Sequence, residues 1–461
     1  MFVGREKELN TINQFLSNKG ALLVYGLRRV GKTTLIKKAA DDSGLPYVYF
    51  ECQKADEKTN VLLFVDLLKE QLDFVDAKFD TFLSVFKVLN KQYPDYLFII
   101  DEYSFIKQYY FESKKPGFGE KADIIDSEFQ IIIDQYISNI NLIISGSSIH
   151  IMKQLTEHQS PLYGRFVSVI DVSIFNYLDA YKMLPNLSNA DLISFYSVFG
   201  GSPYVLEKID TSKSLKENIC HLILDENGKL RMHLNNNVIN ELENDPDLHN
   251  ILDAIKNGTK KYNEIESISH ISTSGLLDKK LNKLLNLGII ECKFPIGREG
   301  DKRKKYYQIK DNLLKFYYAY VFRQDNRISL LTPNRYYELY IEPSLNTFIS
   351  MRFENIVRDY FSIAISKGQY REIVDIGSYF TSNSEFDCVF KKNNDKYSIY
   401  EVKYHKNPMN KEEQLKEIQQ VKDIEGLNVD SIGFVCSSGF KEKLKDVEYL
   451  ELKDIFLNNN F

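Results

Sequence analysis

Cysteine is scarce in this 461-residue chain: Cys52, Cys220, Cys292, Cys388 and Cys436 lie far apart and form no CxxC pair. That spacing argues against a zinc knuckle, and an odd, scattered set points to reduced thiols in a cytoplasmic protein. Glycine (22) and proline (11) are too sparse for a collagen-like or low-complexity chain. No stretch approaches the roughly 18 uncharged apolar residues that a membrane span needs. The amino terminus, Met1-Phe2-Val3-Gly4-Arg5-Glu6, carries charges where a signal peptide would place its apolar core. A strong charge of one sign is missing too. With 59 basic and 64 acidic residues the net charge is −5, so any nucleic-acid site must be local.

What is present is ordinary globular material, 43% hydrophobic and 27% charged, enough apolar surface to offset chain entropy. At roughly 150 residues per domain the length allows about three domains. The pattern suggests segments at 1–175, 176–245, 246–325 and 326–461.

The strongest signal lies near the start. Ala21–Tyr25 has strand character, and Gly26-x-x-x-x-Gly31-Lys32-Thr33-Thr34 follows it and runs into a helix. This strand–loop–helix context is what a phosphate-binding loop requires. Gly26 and Gly31 let the backbone curl its N–H groups toward phosphate oxygens, and the helix start adds its positive dipole end. Lys32 reaches the β- and γ-phosphates, and the Thr33 hydroxyl ligates Mg²⁺. Downstream, Tyr96–Ile100 reads as a strand buried on both faces and ends in Asp101-Glu102. In that position Asp101 holds the Mg²⁺ shell and Glu102 orients the attacking water as general base. Ser145-Gly146-Ser147-Ser148, at the end of a third strand, either senses the γ-phosphate or forms a turn. Arg165 is a candidate for neutralising transition-state charge, with a surface arginine as the alternative.

These motifs, with Val3-Gly4-Arg5-Glu6, the paired Arg28-Arg29 and Gly200-Gly201-Ser202-Pro203-Tyr204, resemble the archaeal-type ATPases of the AAA+/STAND group. The resemblance implies ATP as ligand, slow hydrolysis coupled to conformational change, a helical lid, and contact of the Gly4-Arg5 segment with the base side of the nucleotide.

Residues 247–310 read as three helices and two strands, the order of a winged helix, with Leu276, Leu277, Leu281, Leu284 and Leu285 as the stripe of the third helix and Ser272 or Ser274 as its cap. Between 271 and 310, ten basic residues face four acidic ones. Lys279, Lys280 and Lys283 would enter a DNA groove and Arg298 and Lys302–Lys305 would contact phosphates. A protein–protein joint is the alternative.

The last third turns to α+β. Glu354 sits on an amphipathic helix. The strands 384–390 and 397–404 are separated by Asn393-Asn394-Asp395, and a three-residue turn there sets Asp387 opposite Glu401. Two carboxylates about 5 Å apart at Cβ, with Lys403 on the same face, suit Mg²⁺-assisted phosphodiester cleavage. Glu354, Asp387 and Glu401-x-Lys403 resemble the PD-(D/E)XK restriction-endonuclease-like fold, although Phe386 replaces the proline. An exposed hairpin of cross-strand charge pairs is the alternative.

The expected fold is therefore α/β and multidomain: a P-loop parallel sheet, a helical lid, a winged helix and a restriction-endonuclease-like domain. The expected activity is that of an ATPase coupled to DNA binding and Mg²⁺-dependent cleavage, possessing ATP, Mg²⁺ and DNA as partners and open to homo-oligomerisation. The alternative is an ATP-gated switch with a non-catalytic C-terminal domain.

Overall fold

The computed structural model describes residues 2–113, 118–235, 242, 245–271, 275–298, 300–301, 304–380, 385–422, 424 and 426–457. It divides into two compact units, Met1–Ile174 and Phe175–Phe461. Among the described residues no helix is long and apolar enough to cross a membrane.

The first unit is built on five parallel strands, β1 (Gly20–Tyr25), β2 (Tyr47–Glu51), β3 (Leu97–Asp101), β4 (Asn141–Gly146) and β5 (Ser168–Asp171), in the order β2-β3-β4-β1-β5. Every residue of β3 and β4 is buried. Helices cover both faces of such a sheet, so its strands are apolar throughout instead of alternating. Leu22, Val24, Ile99 and Ile143 pack with Ile12 and Phe15 of the helix Glu6–Leu16 and with Leu35 and Ile36 of the helix Lys32–Ser43. On the opposite face Leu23, Phe98, Ile100 and Ile144 meet Phe64, Phe86 and Phe129 from the helices Glu57–Gln71, Phe82–Gln92 and Phe118–Gln135. The loops after β1 and β3 flank the end of β4, the crevice at which parallel α/β sheets bind ligands.

The second unit begins with short helices, among them Tyr177–Met183 and Asn189–Phe199. At Gly201 a Cβ would lie 1.9 Å from the Phe175 carbonyl oxygen, so this turn requires glycine. Next come the helix Pro246–Ala254, β6 (Lys260–Lys261), the helices Tyr262–Ser269 and Leu276–Asn286, β7 (Ile290–Lys293) and β8 (Tyr306–Ile309), with the strands paired antiparallel as β6-β8-β7. Gly275, in a left-handed conformation, precedes the helix Leu276–Asn286. The expected caps Ser272 and Ser274 lie outside the described residues.

The helix Glu342–Ser366 then packs on a second sheet of β9 (Ile373–Phe380), β10 (Glu385–Lys392), β11 (Tyr397–Lys403), β12 (Val429–Cys436) and β13 (Glu448–Glu451), with the helix Lys411–Lys422 between β11 and β12. The order is β13-β12-β11-β10-β9, antiparallel from β9 to β11 and parallel from β11 to β13. The largest apolar cluster of this unit draws residues from Phe175 to Phe456, beside two smaller ones around Phe386 and Phe434. Its continuity comes from the helix Asn189–Phe199, which packs against both Asn312–Tyr320 and Glu342–Ser366.

That core encloses a cation. Lys315 is 5% exposed, and burial, reinforced by Arg352 and Lys293, pulls its ammonium down to about 7, while Glu291 and Asp311 oppose this. Between pH about 7 and its ordinary value of 10.5 the folded chain binds fewer protons here than the unfolded chain, so stability contributed at this site rises with pH across that window. Lys315→Met is expected to stabilise the protein by about 2 kcal/mol at pH 7 and to flatten the rise. Urea denaturation between pH 6.5 and 9.5 measures both effects.

Candidate functional site

β1 ends at Tyr25 and the chain turns through residues 26–31. A Cβ on Gly26 would meet the Val172 carbonyl oxygen at 2.2 Å, and Gly31 has φ 91°, in the left-handed region. The helix Lys32–Ser43 starts without a side-chain cap, which leaves its first-turn amides available to an anion. Lys32 is buried, and its Nζ donates to the Gly26 and Leu27 carbonyl oxygens, both at 3.0 Å. Burial pulls its ammonium below the usual lysine range, Glu102 and Asp101 oppose this, and Arg28 adds to it. No carboxylate pairs directly with Lys32 among the described residues, so its charge is free to meet an anionic ligand.

Asp101 is 1% exposed and accepts four hydrogen bonds. Thr33 Oγ1 and the Tyr49 hydroxyl each donate to Oδ2 at 2.7 Å, and Ser145 Oγ (2.5 Å) and the Glu102 amide (2.9 Å) donate to Oδ1. Burial, with Asp101 beside it, pushes the Tyr49 phenol well above its usual range, so it stays a donor. Because the Thr33 proton is directed at Asp101, the hydroxyl lone pairs are left for a hard cation, and the oxygen donor set fits Mg²⁺. Glu102 has φ 52°, a conformation that non-glycine residues rarely adopt and that clusters at functional sites. Ser147 fixes it by donating to Oε2 from its amide (3.0 Å) and its hydroxyl (2.7 Å). Ser145 and Ser147, expected either to sense phosphate or to form a turn, thus serve as donors that orient the two acids.

Gly4 and Arg5 are consecutive left-handed residues, each with φ 67°. The buried Arg5 guanidinium donates to the carbonyl oxygens of Val30 (3.0 Å) and Ser173 and to Glu8 (3.1 Å), so it ties the amino-terminal segment to the phosphate loop. Arg28, Arg29 and Thr34 are exposed. Arg28 lies over the Phe105 ring at 5.5 Å, and Arg29 has φ 65°. Arg165 Nε donates to both carboxylate oxygens of Asp134 at 3.0 and 3.1 Å, a surface pairing that engages the side chain expected to reach the transition state.

In the second unit the β10/β11 ladder pairs Cys388 with Tyr400, Val389 with Ile399, Phe390 with Ser398 and Lys391 with Tyr397, the register set by a turn at 393–395. The side chain of Asp387 lies outside the described residues. Glu401 and Lys403 share a face, with Lys403 Nζ 2.6 Å from Glu401 and 3.1 Å from Glu417 on the helix Lys411–Lys422. Glu354 belongs to the helix Glu342–Ser366, whose apolar residues pack against Tyr400 and Val402, on the face of β11 opposite Glu401 and Lys403. Among the described residues no group of three or more His, Cys, Asp or Glu side chains is arranged to hold a metal. Of the expected groove lysines, Lys280 is tied to Asp245 at 2.5 Å and faces Asp247 at 3.6 Å. Lys279, Arg298 and Lys304 are exposed, and Lys302 and Arg303 lie outside the described residues.

Tyr49 and Glu417 carry no local signal. Each reaches its partner only through strand pairing or helix packing across the sheet.

Comparison with known proteins finds matches over both units. Residues 2–209 match the family described as an ATPase domain predominantly from Archaea. Residues 317–418 match a family described as archaeal and bacterial proteins of unknown function. An uncharacterised protein of Methanocaldococcus jannaschii is 26% identical over 412 residues, 88% of each chain. In fold the chain is similar to a Walker-type ATPase of Pyrococcus abyssi, at 18% identity and TM-score 0.51, covering 69% of this chain and 96% of that one. The ORC2 protein of Aeropyrum pernix, in its ADPNP–ADP complexes, aligns over 71% of this chain and 94% of its own at 14% identity and TM-score 0.42. Residues 2–209 thus resemble an ATPase domain in sequence, and the chain shares the fold of a Walker-type ATPase.

Proposed function

We propose that this is a cytoplasmic ATPase whose nucleotide state governs DNA binding and Mg²⁺-dependent cleavage by its second unit. The observation that carries the reading is Asp101, which joins the phosphate loop through Thr33, β4 through Ser145 and the backbone of Glu102. Bound Mg²⁺ supplies charge neutralisation at the phosphates. Lys32 would donate to the β- and γ-phosphate oxygens, Thr33 and Asp101 would hold the metal, and Glu102 Oε1, with no protein partner among the described residues, would take the proton of the attacking water. Gly4, Arg5, Arg28, Arg29 and Thr34 frame the nucleotide, and Arg165 acts at the phosphates once released from Asp134.

The helices and strands between Pro246 and Ile309 follow the winged-helix order, including a first short strand that pairs with the last, and their exposed basic residues suit phosphate contacts. The helix–three strands–helix–two strands order after Glu342 supports a PD-(D/E)XK-like assignment, with Asp387, Glu401 and Lys403 at the cleavage site and Glu354 joining it at the sheet end. Homo-oligomerisation belongs to the same reading, since an arginine acting between copies requires it.

A second reading has its own support. Lys403 is held in two ion pairs, as in a structural charge cluster, and the chain is then an ATP-gated switch with a non-catalytic C-terminal domain. Incubating plasmid with Mg²⁺ and the purified chain, with and without ATP, decides between them. Nicking lost in Glu401→Ala is expected of the nuclease. An uncut plasmid in every nucleotide state, with ATPase intact, leaves the switch.

A further inference from the structure

The face of the second sheet away from Glu401 and Lys403 holds a cavity of about 260 Å³. Its inner wall is aromatic. The Phe361 ring meets Phe390 and Tyr400 at centroid distances of 4.7 Å and Tyr370 at 5.5 Å, and Phe390 meets Tyr400 at 5.1 Å. The neighbouring strand makes room for this wall. At Gly433 of β12 a Cβ would fall 2.3 Å from the Tyr400 ring, so glycine there lets the ring lie against the backbone.

The rim is acidic. Glu372, Asp446 and Glu448 line the opening. Among the described residues none of the three has an ion pair, and the Tyr400 hydroxyl donates to Glu448. Burial, first, and the nearby Glu372 push the Glu448 carboxyl up, with Lys392 opposing them, the response of a carboxylate that faces another one. Among the described residues Lys392 is the one cation in the lining, and Asp430 already pairs with it at 2.7 Å. The opening therefore carries surplus negative charge above a desolvated aromatic wall.

From this combination we infer that the cavity binds a small organic cation, an ammonium or guanidinium group on a flat apolar body, with the body against Phe361, Phe390 and Tyr400 and the charge between Glu372 and Glu448. Each half of the site selects. Aromatic faces favour cations and flat rings, the rim carboxylates repel anions, and a neutral ring gains only the apolar contact. The volume holds one ring with a short chain, below the usual range for drug-sized ligands. This site does not depend on the nuclease assignment, because Glu401 and Lys403 point to the other face.

Three probes of one shape test the inference on the full chain: 2-phenylethylammonium, 2-phenylethanol and phenylacetate, each titrated by calorimetry and ligand-observed NMR. The cation is expected to bind at least about 10-fold more tightly than the alcohol, and phenylacetate more weakly than either. In Glu372→Gln/Glu448→Gln the cation should fall to the affinity of the alcohol, with the thermal unfolding midpoint showing that the variant is folded. Equal binding of cation and alcohol by the wild-type chain would overturn the assignment. So would an absence of cation binding up to about 10 mM, or undiminished cation binding in the folded double variant.

Discussion

Lys32→Ala is expected to weaken ATP binding by at least roughly 30-fold, since truncating one partner of a buried, hydrogen-bonded charge pair costs about 2–5 kcal/mol. Hydrolysis at moderate ATP concentrations should fall to background. The same substitution should leave the nucleotide-free protein no less stable, and more stable at neutral pH. In the folded chain Lys32 is buried and its ammonium is pulled down, so between its folded and unfolded values the folded state binds fewer protons, and keeping the charge there costs stability. Loss of binding together with a gain in unfolding temperature distinguishes removal of a ligand contact from damage to the fold. Equilibrium titration with a fluorescent ATP analogue and thermal melts without nucleotide measure the two effects. A variant that binds ATP normally would remove the phosphate role of Lys32.

Glu102→Gln should separate binding from turnover. The amide preserves shape and still accepts from Ser147 through its oxygen, but it cannot take a proton from water. Loss of a general base typically costs about 10²–10⁴ in rate, so kcat is expected to fall at least about 100-fold while ATP affinity stays within about 3-fold. Single-turnover hydrolysis and equilibrium binding on the same preparation provide the check. A kcat within about 3-fold of the wild-type value would assign proton transfer to another group.

How far the sequence reaches depends on the range of the interaction. The phosphate loop, the strand ending in Asp101-Glu102 and the hairpin register are local, because they follow from apolar runs, glycine spacing and the length of one turn. The bonds that orient the acids are not local: Tyr49 comes from β2, and Ser145 and Ser147 come from the end of β4. Nothing in the spacing of these residues marks them, since their proximity to Asp101 and Glu102 is created by strand order. The partners of charged residues are hidden for the same reason. Lys280 reads as part of a basic stripe along its own helix, but Asp245, thirty-five residues earlier, neutralises it. Arg165 reads as a candidate at the phosphates, and its pairing with Asp134 appears only in the folded chain. The helix with Glu354 reads as apolar toward one partner, yet which face of the sheet it covers is decided by tertiary packing.

β4 is fourth in the chain but central in the sheet, between β3 and β1. The bonds from its end to Asp101 and Glu102 therefore wait until a strand more than a hundred residues after β1 has inserted between two others. Pairings of such long sequence separation form slowly. A nascent chain that has exposed only the phosphate loop holds the right residues and no working pocket, and competence to grip a nucleotide arrives in one step, when the middle strand seats.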